Sequence, residues 1–253
     1  MSRSRRLTLA LIAAPLALAL AACGDEADDE AVLAGEPVAA VPAPAGSTWS
    51  EQAVRTEAGG WQVGNPDAPI KLIEYGSLTC PACGQFSVDG SEALHREYVD
   101  TGRVSYEFRT FMIHGVPDLV MSRLLECGAV TSAVPLADQI WQSMMAGSPP
   151  FDTTNGAALE QANALPEGQR LVALADTAGT LDFFAARGIS KDQAATCLAD
   201  FNAAQALSDK TTAAAEADNV NRTPTFFLNG RQIDESSWAG VEAALQRAGA
   251  RDE

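Results

Sequence analysis

The stretch Ser77-Leu78-Thr79-Cys80-Pro81-Ala82-Cys83 constrains this chain more than any other. It follows the apolar run Ile70-Lys71-Leu72-Ile73-Glu74-Tyr75, which reads as a buried strand, and precedes a helical pattern from Pro81 to about Val99. Cys80 therefore stands at a strand-to-helix turn, beside an N-cap, with Pro81 at the first helical position, where its missing N–H costs nothing. Cys83 follows one turn later on the same side. A thiol at a helix N-terminus faces unpaired backbone N–H groups and the positive end of the helix dipole. Both favour thiolate, so Cys80 is expected to be nucleophilic at neutral pH, and two cysteines in such a turn can close a redox-active disulfide, Cys80–Cys83. A zinc site is the competing reading, but it needs four ligands, and only His95 and His114 supplement the cysteines. A structural staple is another; so small a loop restrains little of the unfolded chain.

A targeting signal opens the chain. Arg3, Arg5 and Arg6 precede an apolar stretch from Leu7 to Leu20, too short for a confident membrane span. Leu20-Ala21-Ala22-Cys23 then has the form of a bacterial lipobox, which makes Cys23 the expected lipidation site; an ordinary signal peptide is the alternative. The expected address is the bacterial cell envelope, on the periplasmic side, with the protein anchored to a membrane by lipid. Five cysteines leave one over in an exported protein, and assigning Cys23 to the lipid leaves four. Adjacency pairs Cys80 with Cys83, and elimination pairs Cys127 with Cys197 as a structural disulfide; two buried free thiols are the alternative. The formal charge of −16 argues against nucleic acid and against an anionic lipid surface as partners.

Residues 1–22 are thus read as the signal and 23–60 as an acidic, Ala- and Pro-rich tether, semi-extended and disordered, with a short helix around 50–57 as a possible start of structure. Asn65-Pro66-Asp67 is turn chemistry. Val104-Ser105-Tyr106-Glu107-Phe108 alternates as a second strand, so strand, helix and strand make a βαβ unit with a parallel pair. Residues 61–112 form the first part of a central domain. Residues 113–210 form a helical insert, with apolar stripes through Val120, Met121 and Leu124, through Leu136, Ile140 and Trp141, and through Leu171 and Leu174. Ser190-Lys191-Asp192-Gln193 opens another helix as a capping box. Residues 211–253 return to β: Thr225–Leu228, an Asn229-Gly230 turn and Arg231–Ile233 make a hairpin, before a last helix over about 237–248. The fold class expected is α/β, a thioredoxin-like sheet flanked by helices and interrupted by an α-helical domain.

The motifs Gly64-Asn65-Pro66-Asp67-Ala68-Pro69-Ile70, Glu74-Tyr75-Gly76-Ser77-Leu78-Thr79-Cys80-Pro81-Ala82-Cys83 and Thr223-Pro224-Thr225-Phe226-Phe227-Leu228-Asn229-Gly230 resemble those of DsbA-type thiol:disulfide oxidoreductases, over roughly residues 61–248. The resemblance implies a cis peptide bond at Pro224 that leaves the Thr223 backbone free to pair with an extended substrate. It also implies an acid at Glu74, which on a buried strand could exchange a proton with Cys83. Catalytic roles are therefore expected for Cys80, Cys83, Thr223, Pro224 and Glu74, with no cofactor and no metal. Expected partners are exported cysteine-containing proteins and a membrane redox partner, either a quinone-linked oxidase or an electron donor. The expected reaction is oxidation of dithiols. A reductase or isomerase is the alternative, and a copper-binding envelope protein a more distant one. Ala82 departs from the Pro-His dipeptide of strongly oxidising members, which removes a stabiliser of the Cys80 thiolate and points to a weaker oxidant.

Overall fold

The structure is a computed structural model and describes residues 34–252. Its sheet runs β1 (Ala53–Arg55), β2 (Trp61–Gly64), β4 (Val104–Thr110), β3 (Ile70–Gly76), β5 (Thr225–Leu228) and β6 (Arg231–Ile233) in spatial order. Only β3 and β4 are parallel, in register from Ile70 opposite Val104 to Gly76 opposite Thr110; the other neighbours are antiparallel. β3 lies between β4 and β5, and its apolar run is what two covered faces require. This is the thioredoxin-like arrangement, with helices inserted between β4 and β5.

The crossover from β3 to β4 is α1 (Pro81–Ala93), continued by a π-helical segment (Leu94–Val99). Cys80 is the N-cap in extended conformation and Pro81 the first helical residue. Phe86, Leu94 and Tyr98 turn inward and are buried. Gly90 has no room for a Cβ against the Trp238 indole, so its role is close packing. The inserted helices are α2 (Val116–Cys127), α3 (Ala133–Met145), α4 (Gly156–Asn163), α5 (Glu167–Thr177), α6 (Thr180–Ala185), α7 (Lys191–Ala199) and α8 (Phe201–Ala217). The sequence stripes are their inward faces: Val120, Met121, Leu124, Leu136, Ile140, Trp141, Leu171 and Leu174 are all buried. Ser190 Oγ caps α7 by accepting from Gln193 N at 3.2 Å. Cys127, at the end of α2, is joined to Cys197 in α7 by a disulfide with a Cα–Cα distance of 6.3 Å. In the hairpin, Asn229 and Gly230 both have positive φ, 51° and 81°, as a type I′ turn demands. α9 (Trp238–Arg247) follows, with Val241, Ala244 and Leu245 buried.

Two boundaries differ from the sequence reading. The expected tether does not extend to residue 60. Gly35 N and Val38 N donate to the carbonyls of Arg247 and Gly249, both at 2.8 Å, and Val41 N donates to Thr101 O at 2.8 Å. Val38, Trp49 and Ala53 pack against the core. Backbone hydrogen bonds and side chains from elsewhere in the chain, such as Arg103 on Val38 O and Asp100 on Ser50, hold the segment, and neither shows in the local Ala/Pro composition that suggested disorder. In place of a helix over 50–57 there is a 3₁₀ turn, Trp49–Glu51, and then β1 as the sheet's edge strand. The boundary drawn at 210 falls inside α8, whereas the helical pattern itself reads on to about Asn219: α8 continues to Ala217 and ends where Asn219 takes φ 55°, because no Gly or Pro interrupts the Ala/Thr-rich run before it. The signal, the lipobox and Cys23 lie outside the described residues. Among the described residues no helix is long and apolar enough to cross a membrane.

Candidate active site

The end of β3, the start of α1 and the loop before β5 converge on two sulfurs. Cys80 is buried at 5 % exposure and Cys83 at 0 %, and both are free thiols, so the structure describes the dithiol form of the pair expected as a disulfide. Cys80 Sγ lies 3.4 Å from the Thr223 carbonyl, and the Thr223–Pro224 peptide bond is cis. The cysteine turn and the Thr-Pro loop, far apart in sequence, are therefore neighbours.

The surroundings drive the two thiols apart. The pKa of Cys80 falls to about 5. The hydrogen bond from Cys83 is the main cause, supported by Thr223 and by the backbone N–H groups of Cys83 and Ala82, against the cost of burial. Cys83 is pushed well above the ordinary thiol range, first by burial, then by its bond to Cys80 and by the charges of Glu74 and Cys80. One sulfur is thus held as thiolate while the other keeps its proton. The Cys80 thiolate is held by Cys83 and the helix N–H groups, with Ala82 offering no imidazole beside it.

Glu74 sits in the middle of β3 and is wholly buried. Its Oε2 accepts from Tyr106 Oη at 2.6 Å, and its Oε1 has no hydrogen-bond partner. Burial raises its pKa to about 8; the charges of Asp138 and Cys80 act in the same direction and the Tyr106 hydrogen bond opposes them. Because Oε2 already accepts from Tyr106, Oε1 is the oxygen left to carry the proton.

A hydrogen-bond network that the sequence did not reveal fixes the turn. Asp118, at 0 % exposure in the first turn of α2, accepts from Ser77 Oγ at 2.9 and 3.0 Å, and from Ile113 N and His114 N at 3.0 and 2.9 Å. Ser77 Oγ lies 3.0 Å from Thr79 Oγ1, which meets His114 Nδ1 at 2.7 Å. Trp141 Nε1 donates to Ser77 O at 2.9 Å. The loop after β4 and the helical block are thereby tied to the residues leading into Cys80. Asp118 reads in sequence as an ordinary first-turn acid, and His114, given no role there, is brought to the site only by the chain path. Beside it lies an apolar recess lined by Leu78, Thr79, His114, Pro117, Met121 and Phe151. Cys80, Cys83, Thr223, Pro224 and Glu74 are thus drawn together, whereas Cys127–Cys197 links α2 to α7 within the helical block. Among the described residues no three His, Cys, Asp or Glu side chains gather as a metal site.

Comparison with known proteins agrees with this architecture. A Rickettsia bellii protein named "Putative protein-disulfide oxidoreductase" is 27 % identical over 187 residues, 74 % of this chain and 63 % of that protein. Its Rickettsia typhi counterpart matches over 60 % of its own length, so the chain spans somewhat under two thirds of these relatives. The crystal structure of a protein-disulfide isomerase from Novosphingobium aromaticivorans superposes with a TM-score of 0.67 and 25 % identity, covering 76 % of this chain and 97 % of that one. Wolbachia pipientis alpha-DsbA1 has the same fold, with a TM-score of 0.60 at 20 % identity over 80 % of this chain and 96 % of that one. The family model described as "Thioredoxin" matches residues 56–247. That span takes in five of the six strands, the cysteine turn, the inserted helices and the Thr-Pro loop, so the chain belongs to the thioredoxin family.

Proposed function

We propose that the protein is a thiol:disulfide oxidoreductase of the bacterial cell envelope, exchanging the Cys80–Cys83 disulfide with cysteines of exported proteins as a dithiol oxidase. The observation that carries this reading is the splitting of the two thiols: Cys80 brought down to about 5, Cys83 pushed up, on one helical turn. In the oxidised enzyme a substrate thiolate attacks Cys80 Sγ. The Cys80–Cys83 bond breaks, its electron pair leaves on Cys83, and Glu74 supplies the proton that the buried sulfur needs. A second substrate thiolate then attacks the substrate sulfur of the mixed disulfide, releasing oxidised substrate and the Cys80 thiolate. Thr223 and Pro224, against Cys80, offer backbone for an extended substrate to pair with. A membrane redox partner reoxidises the pair, and a lipid on Cys23 holds the protein at that membrane.

Stabilising the thiolate stabilises the reduced form, and that makes the disulfide a stronger oxidant, which favours the oxidase over a reductase or isomerase. Equilibration with glutathione buffers tests the direction: a potential nearer about −120 mV than about −270 mV is expected, and one at the thioredoxin end overturns it. The exchange itself is tested by isolating mixed disulfides at Cys80 from cells carrying Cys83→Ser. Recovery of exported cysteine-containing proteins is expected. Tight Cu(I) binding with no trapped protein would favour the copper-handling alternative.

A further inference from the structure

This inference rests on the exchange reading above. Each opening or closing of the Cys80–Cys83 bond moves a proton at Cys83, and Glu74 is the carboxyl placed to take or give it. Glu74 has no contact with solvent, so its proton must pass through another group. We propose that His95, seated against Asp138, is the port through which Glu74 exchanges that proton with solvent.

The geometry is specific. Glu74, His95, Ser91, Tyr106, Asp138 and Trp141 line one narrow void. Two buried polar atoms among the void-lining residues have no hydrogen-bond partner, Glu74 Oε1 and His95 Nδ1. Buried polar atoms are almost always paired, so two around one void ask for a reason. The other face of the imidazole is occupied: His95 Nε2 lies 3.7 Å from Asp138 Oδ2. Asp138 is itself fixed by Ser87 Oγ at 2.7 Å and Ser91 Oγ at 2.6 Å. With Nε2–H turned to Asp138, Nδ1 is the accepting nitrogen. The His95 ring stands edge-on to Tyr106, the residue that donates to Glu74, with ring centroids 6.0 Å apart. The side chains of His95 and Asp138 are 21 % and 16 % exposed, so this pair reaches the solvent that Glu74 does not.

During closing, Cys83 Sγ–H gives its proton to the Glu74 carboxylate. The Cys83 thiolate attacks Cys80 Sγ of the mixed disulfide, and the partner's sulfur leaves with the electron pair. Glu74 then passes the proton from Oε1 to His95 Nδ1 as the two side chains close across the void, and the imidazolium, steadied by Asp138, releases its Nε2 proton to water. Opening runs the same path backwards. The titratable groups facing Glu74 are Tyr106 from β4, Cys80 and Cys83 from α1, Asp138 from α3 and His95 from the π-helical segment.

The test follows closing of a glutathione–Cys80 mixed disulfide in the whole chain by stopped flow, from about pH 5 to pH 10, so that both thiol and carboxyl titrate. In the wild type the closing rate rises with pH through a midpoint near 8, where Glu74 loses its proton. Below that midpoint Glu74 starts protonated and must shed its proton through His95 before it can take the one on Cys83, so there His95→Gln and His95→Ala are expected to close roughly tenfold or more slowly, within the range of general acid–base effects, and imidazole in the buffer to restore the rate in His95→Ala. Asp138→Asn is expected to move the midpoint below that of the wild type, because a like charge beside Glu74 is removed. His95 variants that close at the wild-type rate below the midpoint, or slow ones that imidazole does not rescue, overturn the port while Glu74→Gln remains slow. If Glu74→Gln also closes like the wild type, the assignment of Glu74 falls as well, and if the wild type does not close at all, the exchange reading itself fails.

Discussion

At the scale of single residues, the site consists of three ionisable groups moved from their ordinary ranges by position alone. Cys80 gains hydrogen bonds as thiolate; Cys83 and Glu74 lose water and keep their protons. The first two shifts can be seen directly by titrating thiolate absorbance in the reduced protein. A single transition near pH 5 is expected, lost in Cys80→Ser, and a transition near the ordinary thiol value of about 8.5 contradicts it. The shifts also act on stability, with opposite signs. Cys80 has a depressed pKa, so its contribution to the reduced protein is full above the unfolded thiol pKa and disappears as pH falls through about 5. Glu74 has a raised pKa, so the folded state binds a proton that the unfolded state has given up, and stability falls as pH rises through about 8. Between about pH 5 and 8 the two slopes oppose and largely cancel. Glu74→Gln is therefore expected to make the reduced protein gain about 1.4 kcal/mol per pH unit across that window, measured by urea unfolding at successive pH values. A flat profile in that variant means Glu74 is not the compensating group.

At the scale of elements, the turn between β3 and α1 is held from outside. Asp118 on α2 accepts the single hydroxyl proton of Ser77, shared between its two oxygens, and two bonds from the backbone of the preceding loop, with no exposure to water. Removing it leaves donors unpaired in a buried place. Asp118→Ala is expected to cost about 3–5 kcal/mol, the range for breaking one side of a buried charged network. It is also expected to slow alkylation of Cys80 at fixed pH, as the turn loses its fixed geometry. Unfolding and iodoacetamide kinetics check the two effects separately. The Cys127–Cys197 disulfide acts on the helical block instead. It closes a loop of 70 residues, and replacing both cysteines with Ser is expected to lower stability by at most about 4 kcal/mol in a loop-entropy treatment. Because it joins α2 to α7 and not β3 to α1, the thiolate titration of Cys80 is expected to stay in place.

At the scale of the whole molecule, the strands at each end of the sheet and the helices between β4 and β5 make one frame for the cysteine turn. The segment from Gly35 to Val41 is laid along the end of α9 and the loop before β4, and Arg103 fastens it by donating to Val38 O at 2.7 Å. Deleting residues 34–47 is expected to lower Tm by a few degrees, as the loss of about 1 kcal/mol would in a domain of this size. Thermal unfolding reads it out; an unchanged Tm would mean the segment contributes nothing beyond its own order.

Much of this was legible in the chain itself. A buried apolar strand, a cysteine at an N-cap with proline behind it, an Asn-Gly turn and a second Thr-Pro motif define local geometry through sterics and hydrogen bonding, so β3, α1 and the β5–β6 hairpin could be read residue by residue. The 3.6-residue stripes likewise marked the faces of the inserted helices. What the sequence did not carry is contact between distant residues. His95 and His114 look like surface histidines until the π-helical segment and the loop after β4 bring one to Asp138 and the other to Thr79. Residues 34–60 look unstructured because side-chain composition says nothing of backbone bonds to α9. Glu74 is an ordinary acid in the sequence and a carboxyl shifted to about 8 in the fold, because its solvation depends on what covers β3. Local covalent geometry fixed the reactive turn; burial, which depends on every element at once, decided the protonation states that let the turn react.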